Sequence, residues 1–475
     1  MFRKLLLRIS LYGLAPQVPK IASIFVLPII TQDLTTLDYG VAGVISAYAA
    51  AFSVLQTLGM NVVMSNSFYK SPNFYKWHWR QIHGFLSIWS LAFAAILAGI
   101  LYFVIPEEAT HNRWMIILLN IFPVAFLGTT QNMSQRFFHL SLKAKTLAMR
   151  TVITGLISVF INLYTISYLK LGYMGWFWSA CLSNVAGFLL LFYPFYFKYK
   201  FWPIFNFKKR TVRKALSVSL PTVPHYYSNY LLKTSDKAIM DVLHVDVKNI
   251  GLYNLASTFG NYFGSFVDAI SLAVSPTYLK LYRKGDDAAL LSLKKLTFLL
   301  QGGLLLISFT LCLWLKEIFM LMIRNEELRK AYPIAIIIIM SFTYRPMYLA
   351  AINKIFMQEK TKSLMKITFA AGIANVILNF ILIPIYGVEA AAIITFVTFL
   401  YMGYSGFFMK EFKGIKDKGY QPVMWLLITL AVSFIAYLGV EFYLYVKVFI
   451  TFLLAVSVGL FLFKYGKNLK NIYVE

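Results

Sequence analysis

Lys20, Lys233, Lys237 and Arg345 stand inside long apolar stretches of this sequence, with Asp236 and Asp268 at similar depth. A charged side chain at the centre of a bilayer costs roughly 2.5–3.5 kcal/mol on insertion scales. Cations retained there suit one kind of chemistry, the holding of an anion in a membrane-embedded cavity. Arginine adds a planar fork that takes two phosphate oxygens at once. An acid at the same depth binds a proton or Na+, or neutralises a neighbouring cation.

Spacing groups these residues. In LSVSLPTVPHYYSNYLLKTSDKAIM, His225, Asn229, Lys233 and Asp236 fall on one helical face, with Pro221 and Pro224 a turn before it. Such a stripe faces a watery cavity or the bundle interior, and the prolines permit a kink. Two readings of Lys233 and Asp236 stand: a structural pair, or part of a site. Asn254, Asn261, Ser265 and Asp268 share a face of the next segment, where Gly260 and Gly264 have the spacing of close helix packing. Asp268 is read as a coupling site or as a static counter-charge. Gln17 and Lys20 share a face of the first segment, whose Pro16, Pro19 and Pro28 break its regularity. Arg345, beside Pro346, either grips phosphate or pairs with a helix-borne acid.

The elements that must position these groups are membrane helices. Of 475 residues, 59% are hydrophobic and only 13% charged, against about 25% charged in soluble domains. The apolar residues fall in about fourteen blocks, too long and too continuous for β-barrel strands. The fold class is therefore all-α and polytopic. Residues 1–197 are expected to form an N-terminal lobe of helices 1–6, and 198–213 a cytoplasmic linker. Residues 214–409 give a C-terminal lobe of helices 7–12, and 410–475 two additional helices with a cytoplasmic tail.

The net charge of +26 does not signal nucleic acid. With both termini cytoplasmic, about 33 of the 45 Lys and Arg lie on inner segments, among them Arg136, Lys143, Lys145 and Arg150. About seven, Lys447 among them, lie outside, as membrane sidedness requires. Amides such as Gln131, Asn375 and Asn379 read as interhelical glue. Trp and Tyr mostly read as interfacial belts, and His78, His83, His111, His139 and His244 as loop or interfacial residues. Cys181 and Cys312 read as core thiols. No nucleotide-binding loop or metal-ligand cluster is visible.

Three stretches carry a resemblance: KIASIFVLPIITQDLTTLDYGVAGVI (20–45), SLPTVPHYYSNYLLKTSDKAIMDVLHVDVKNIGLYNLA (219–256) and ILNFILIPIYGVEAAAIIT (377–395). Their order and spacing resemble those of Wzx-type polysaccharide flippases of the multidrug/oligosaccharidyl-lipid/polysaccharide (MOP) superfamily. That resemblance implies two pseudo-symmetric six-helix lobes around a central cleft. It implies transport of undecaprenyl-diphosphate-linked sugars, such as O-antigen or capsule units, from the cytoplasmic to the periplasmic leaflet of a bacterial inner membrane. Lys20, Lys237 and Arg345 match the family's cleft cations by position. Glu389, where many relatives have Gly, and Lys237, where Arg is common, depart from the pattern.

The expectation is thus a transporter, not an enzyme, that flips lipid-linked oligosaccharide by alternating access with a cationic cavity. Lys20, Lys233, Lys237, Arg345, Gln17, His225 and Asn229 are its substrate-binding candidates, with Asp236 and Asp268 for ion coupling or charge balance. No metal or cofactor is expected, and coupling to a Na+ or H+ gradient is left open. Its expected partners are the lipid-linked oligosaccharide substrate and membrane lipids, with glycan assembly proteins as candidate neighbours, no nucleic acid, and a monomer sufficient for function. A multidrug exporter of the same fold and a membrane glycan polymerase or acyltransferase are the rivals.

Overall fold

A computed structural model describes residues 15–358, 361–413 and 419–474. The described chain is helical, with no strand among those residues. In hydrocarbon every backbone N–H and C=O must find a partner within its own segment, and continuous apolar runs meet that demand as helices. Ten helices, from Thr36–Lys70 to Pro422–Gly439, are long and apolar enough to cross a bilayer. Gln17–Ile30 and Leu444–Leu460 are shorter apolar helices. The seventh and eighth expected spans complete the fourteen, and they are the two richest in candidate polar residues.

The seventh span is broken rather than continuous. Lys209–Ser219 runs into a 3-10 turn over Leu220–Thr222, then Val223–Lys233, and Ser235–Val242 follows a break at Thr234. Pro221 and Pro224 each remove a backbone donor, and Thr234 (φ −141°, ψ −20°) leaves the helical region. The eighth is a single helix, Val247–Lys284.

The chain divides into two compact units. Unit 1 runs to Asn254 and includes Ile323–Leu328; unit 2 comprises Leu255–Met322 and Arg329 onward. This division follows compactness, whereas the lobes expected from sequence follow pseudo-symmetry and the basic loop.

Unit 1 is held by aromatic packing at one end and by backbone proximity elsewhere. Trp79 is fully buried, donating to the Met64 carbonyl (3.1 Å) and the Ser67 hydroxyl (2.9 Å), so it is core rather than belt. His83 is also buried, not interfacial. The segment after Tyr199 folds back over it: the Phe201 carbonyl lies 3.1 Å from His83 Nδ1, and Ile204 N donates to the Arg80 carbonyl. Three spans carry wide π-helical turns, Pro123–Leu127, Leu163–Tyr168 and Tyr193–Lys198.

One crossing in unit 1 places the site residues. A Cβ on Gly40 would stand 2.0 Å from the Val247 carbonyl oxygen, and one on Gly251 would stand 1.9 Å from that of Thr36. Helices Thr36–Thr57 and Val247–Lys284 therefore touch backbone to backbone, which only glycine permits. Asp38 fixes the start of the first: it closes a capping box with Thr35 and accepts from Tyr173 N at 2.7 Å.

In unit 2, Gly260 and Gly264 do pack helices, seating Ile338 and Phe342. Asn379 donates to Asn375 (2.9 Å), and Asn375 to Thr398 on the next helix (3.4 Å), as glue. Lys447 is not in an outer loop: it is fully buried in the first turn of Leu444–Val474, paired with Glu317 at 2.6 Å. Glu389 is exposed in the first turn of Val388–Tyr404, where a carboxylate suits the helix dipole. Cys181 and Cys312 are buried free thiols.

Gly40→Ala or Gly251→Ala is expected to lower the thermal midpoint of the detergent-solubilised protein, at a cost of about 1–3 kcal/mol from overpacking. Gly99→Ala, whose Cβ would meet nothing within 4 Å, should leave it unchanged. Scanning fluorimetry of the three variants checks this.

Candidate functional site

The glycine crossing brings two consecutive residues of one helix against two consecutive residues of another. Lys237 Nζ donates to Asn254 Oδ1 at 2.8 Å, and Asn254 Nδ2 donates to the Tyr39 carbonyl at 2.8 Å. Asp236 accepts from the Tyr253 hydroxyl. Asp236 is buried, 2% exposed, whereas Lys237 is half-buried. The hydrogen bond that positions the ammonium thus comes from a neutral amide. Asp241 completes the row, accepting from Tyr48 at 2.9 Å.

The expected stripe on the seventh span is interrupted. Lys233 ends its helix and is exposed, while Asp236 lies beyond the break at Thr234 and is buried. They do not share a continuous helical face. His225 and Asn229 lie on Val223–Lys233 by their backbone, but their side chains are outside the described residues. Gln17 and Lys20 are half-buried on Gln17–Ile30, and Pro19 between them packs against Gly155.

Unit 2 holds the other two candidates, and they meet. A 3-10 turn over Phe342–Tyr344 interrupts the tenth span, with Pro346 just after it. Gln301 Nε2 donates to the Thr343 carbonyl in that turn at 3.1 Å. The break presents Arg345, whose Nη2 pairs with Asp268 Oδ1 at 2.8 Å. Its Nε donates to Ser271 and its Nη1 to the Tyr344 hydroxyl, both at 3.1 Å. The Tyr348 ring lies 5.6 Å from the guanidinium carbon. A cavity of about 130 Å³, walled largely by Leu and Ile side chains, opens beside Arg345 and Ser271. The pair is partly exposed, at 24% for the Arg345 side chain and 45% for Asp268.

Unit 1 therefore carries Gln17, Lys20, Lys233, Asp236 and Lys237, and unit 2 carries Asp268 and Arg345. Sequence reasoning did not assign Tyr253, Ser271, Tyr344 or Tyr348. Among 31 tyrosines, the three that hold these charged groups carry no distinguishing spacing. Asp268 and Arg345, expected separately from sequence, are in contact at 2.8 Å.

The family of polysaccharide biosynthesis proteins matches residues 7–281. The chain belongs to that family. Among solved structures, the lipid II flippase MurJ in an inward closed conformation superposes with a TM-score of 0.65 at 14% identity, covering 91% of this chain and 98% of that one. An inward-facing multidrug resistance MATE transporter of the MOP superfamily gives 0.57 at 14%, covering 89% and 96%. A mutant of the Vibrio cholerae MATE transporter VcmN gives 0.55 at 13%, covering 87% and 98%. No protein of curated function matches the sequence. The protein is a multi-pass membrane protein of the polysaccharide biosynthesis family, with the fold shared by MurJ and the MATE transporters.

If Asp268 serves to hold Arg345, then Asp268→Asn and Arg345→Gln should not add. A double-mutant cycle on stability in detergent is expected to return a coupling of about 1 kcal/mol. Strictly additive losses would remove the pairing.

Proposed function

We propose that this protein flips undecaprenyl-diphosphate-linked oligosaccharide from the cytoplasmic to the periplasmic leaflet of a bacterial inner membrane by alternating access. The observation that carries the reading is the setting of Lys237. Its ammonium is half-buried within a membrane fold and hydrogen-bonded to the neutral Asn254, while the adjacent Asp236 is held by Tyr253. A cation placed in that way keeps attraction for an incoming anion, whereas a neutral surface could not draw a diphosphate out of water.

Arg345 enters differently, because a carboxylate already sits on it. The diphosphate competes with Asp268 for the guanidinium fork and displaces that carboxylate from Arg345. A carboxylate freed in this way is available to a coupling ion, with H+ and Na+ the two candidates. Lys20 and Gln17 contribute from the proline-rich first helix, and Lys233, His225 and Asn229 from the broken seventh span, where a kink accommodates movement. The sugars contact polar groups and the lipid tail stays in the bilayer. A monomer suffices for this cycle, with both termini on the cytoplasmic side. The multidrug-exporter reading has less support, since the candidate site is richer in cations than in acids and the family match is to polysaccharide biosynthesis.

Replacement of Lys237 by Ala is expected to cut delivery of a lipid-linked sugar across reconstituted vesicles at least tenfold, an effect of about 1.4 kcal/mol or more. Lys20→Ala and Arg345→Ala should act in the same direction. Normal delivery by all three variants, inserted at wild-type levels, would defeat the proposal.

A further inference from the structure

Unit 1 contains a polar cavity of about 360 Å³ that none of the candidate residues above lines. Three helices build it. Asn132, Gln135, Arg136 and His139 stand three and four residues apart on Gly128–Leu140, and so share a face. Arg150 comes from Ala144–Asn162, and Asn61 from the start of Asn61–Lys70.

Both arginines are half-buried, and both are anchored by neutral oxygens. Arg136 Nε donates to the Ser65 hydroxyl at 3.0 Å, and one of its terminal nitrogens shares that acceptor. Arg150 Nε donates to the Gly187 carbonyl at 3.3 Å. Each guanidinium has five N–H donors, so these anchors fix direction and leave donors facing the cavity. Among the described residues no carboxylate lines the cavity. None occurs anywhere in the chain between Glu108 and Asp236, a stretch that includes both arginines and Gly187, and helix Asn61–Lys70, which carries Ser65, has none either. Two like charges, partly withdrawn from water and lacking a counter-charge, repel each other until an external anion arrives. The three amides beside them donate and accept at once, which suits hydroxyl groups rather than a bare ion.

We propose that this cavity binds a phosphorylated sugar, with Arg136 and Arg150 gripping the phosphate and Asn61, Asn132 and Gln135 meeting the sugar hydroxyls. The sugar phosphate is either free or joined to a polyprenyl diphosphate. The lipid-linked source rests on the flippase reading above; the cavity's preference for sugar phosphate does not. By the distribution of basic loops this end of unit 1, next to Lys143 and Lys145, is the cytoplasmic one, where such headgroups are assembled.

The test is calorimetric titration of the full chain in phosphatidylcholine nanodiscs with glucose 1-phosphate, with glucose, and with a short-chain polyprenyl diphosphoglucose. Wild type should bind the phosphorylated probes and not glucose. Arg136→Gln combined with Arg150→Gln should weaken that binding at least tenfold. Gln135→Glu, at an exposed position, adds a repelling charge without touching the core and should weaken it with the thermal midpoint unchanged. A tenfold preference for the polyprenyl probe assigns the cavity to the lipid-linked source, and equal affinity assigns it to free sugar phosphate. Failure of wild type to bind either phosphorylated probe, or wild-type affinity in Gln135→Glu and in the folded double variant, overturns the proposal. Flipping of the polyprenyl probe is read separately in vesicles. A chain that binds through these arginines yet flips nothing sinks the flippase reading and leaves the site standing.

Discussion

Where helix Thr36–Thr57 crosses Val247–Lys284, two backbones approach until only a hydrogen atom fits between them at Gly40 and Gly251. Much of unit 1 follows from that contact. It carries the Tyr39 carbonyl to Asn254, and Asn254 in turn fixes the direction of the Lys237 ammonium. It carries Tyr253 to Asp236 in the same step. Two short sequence patterns more than two hundred residues apart, Asp-Tyr-Gly at 38–40 and Gly-Leu-Tyr at 251–253, are thus two halves of one joint. Neither pattern touches substrate by necessity; both set where a charged neighbour points.

Charge is handled in opposite ways in the two units. Arg345 has a carboxylate at 2.8 Å and two hydroxyl acceptors, and Lys447 has Glu317 and a carbonyl. Lys237, Arg136 and Arg150 are instead steadied by an amide, a hydroxyl and a carbonyl. Removing one member of a buried ion pair is costly because the remaining charge is stranded. A cation already steadied by neutral dipoles incurs no such penalty when an anion comes and goes. For Arg136 and Arg150 the regime follows from a stretch of chain without acids, whereas Lys237 has Asp236 beside it, with that carboxylate accepting from Tyr253.

The helical class, the number of spans and the family were legible because each rests on long-range regularities: apolar block length, loop charge and the order of motifs. The proline-marked kinks were legible in kind, and the structure adds the break at Thr234, which no proline announces. That break is why an unbroken 100° periodicity placed Lys233 and Asp236 on one face when the chain does not. His83 read as interfacial because nothing local reveals that the Phe201 segment will fold back and cover it. Arg136 and Arg150 read as inner-loop charges obeying the sidedness rule. Their signal was an absence, the stretch from Glu108 to Asp236 without a single acid, and absences do not register in a search for motifs.

The two thiols have a practical bearing on how motion in this protein can be followed. Cys181 and Cys312 are 6% and 0% exposed, and neither lies in a disulfide. Maleimide reagents need an accessible thiolate, which enclosed sulfurs do not offer. Single reporter cysteines can therefore be introduced on an otherwise native background, and spin or fluorophore pairs can track the transport cycle without first stripping the molecule of its own sulfur.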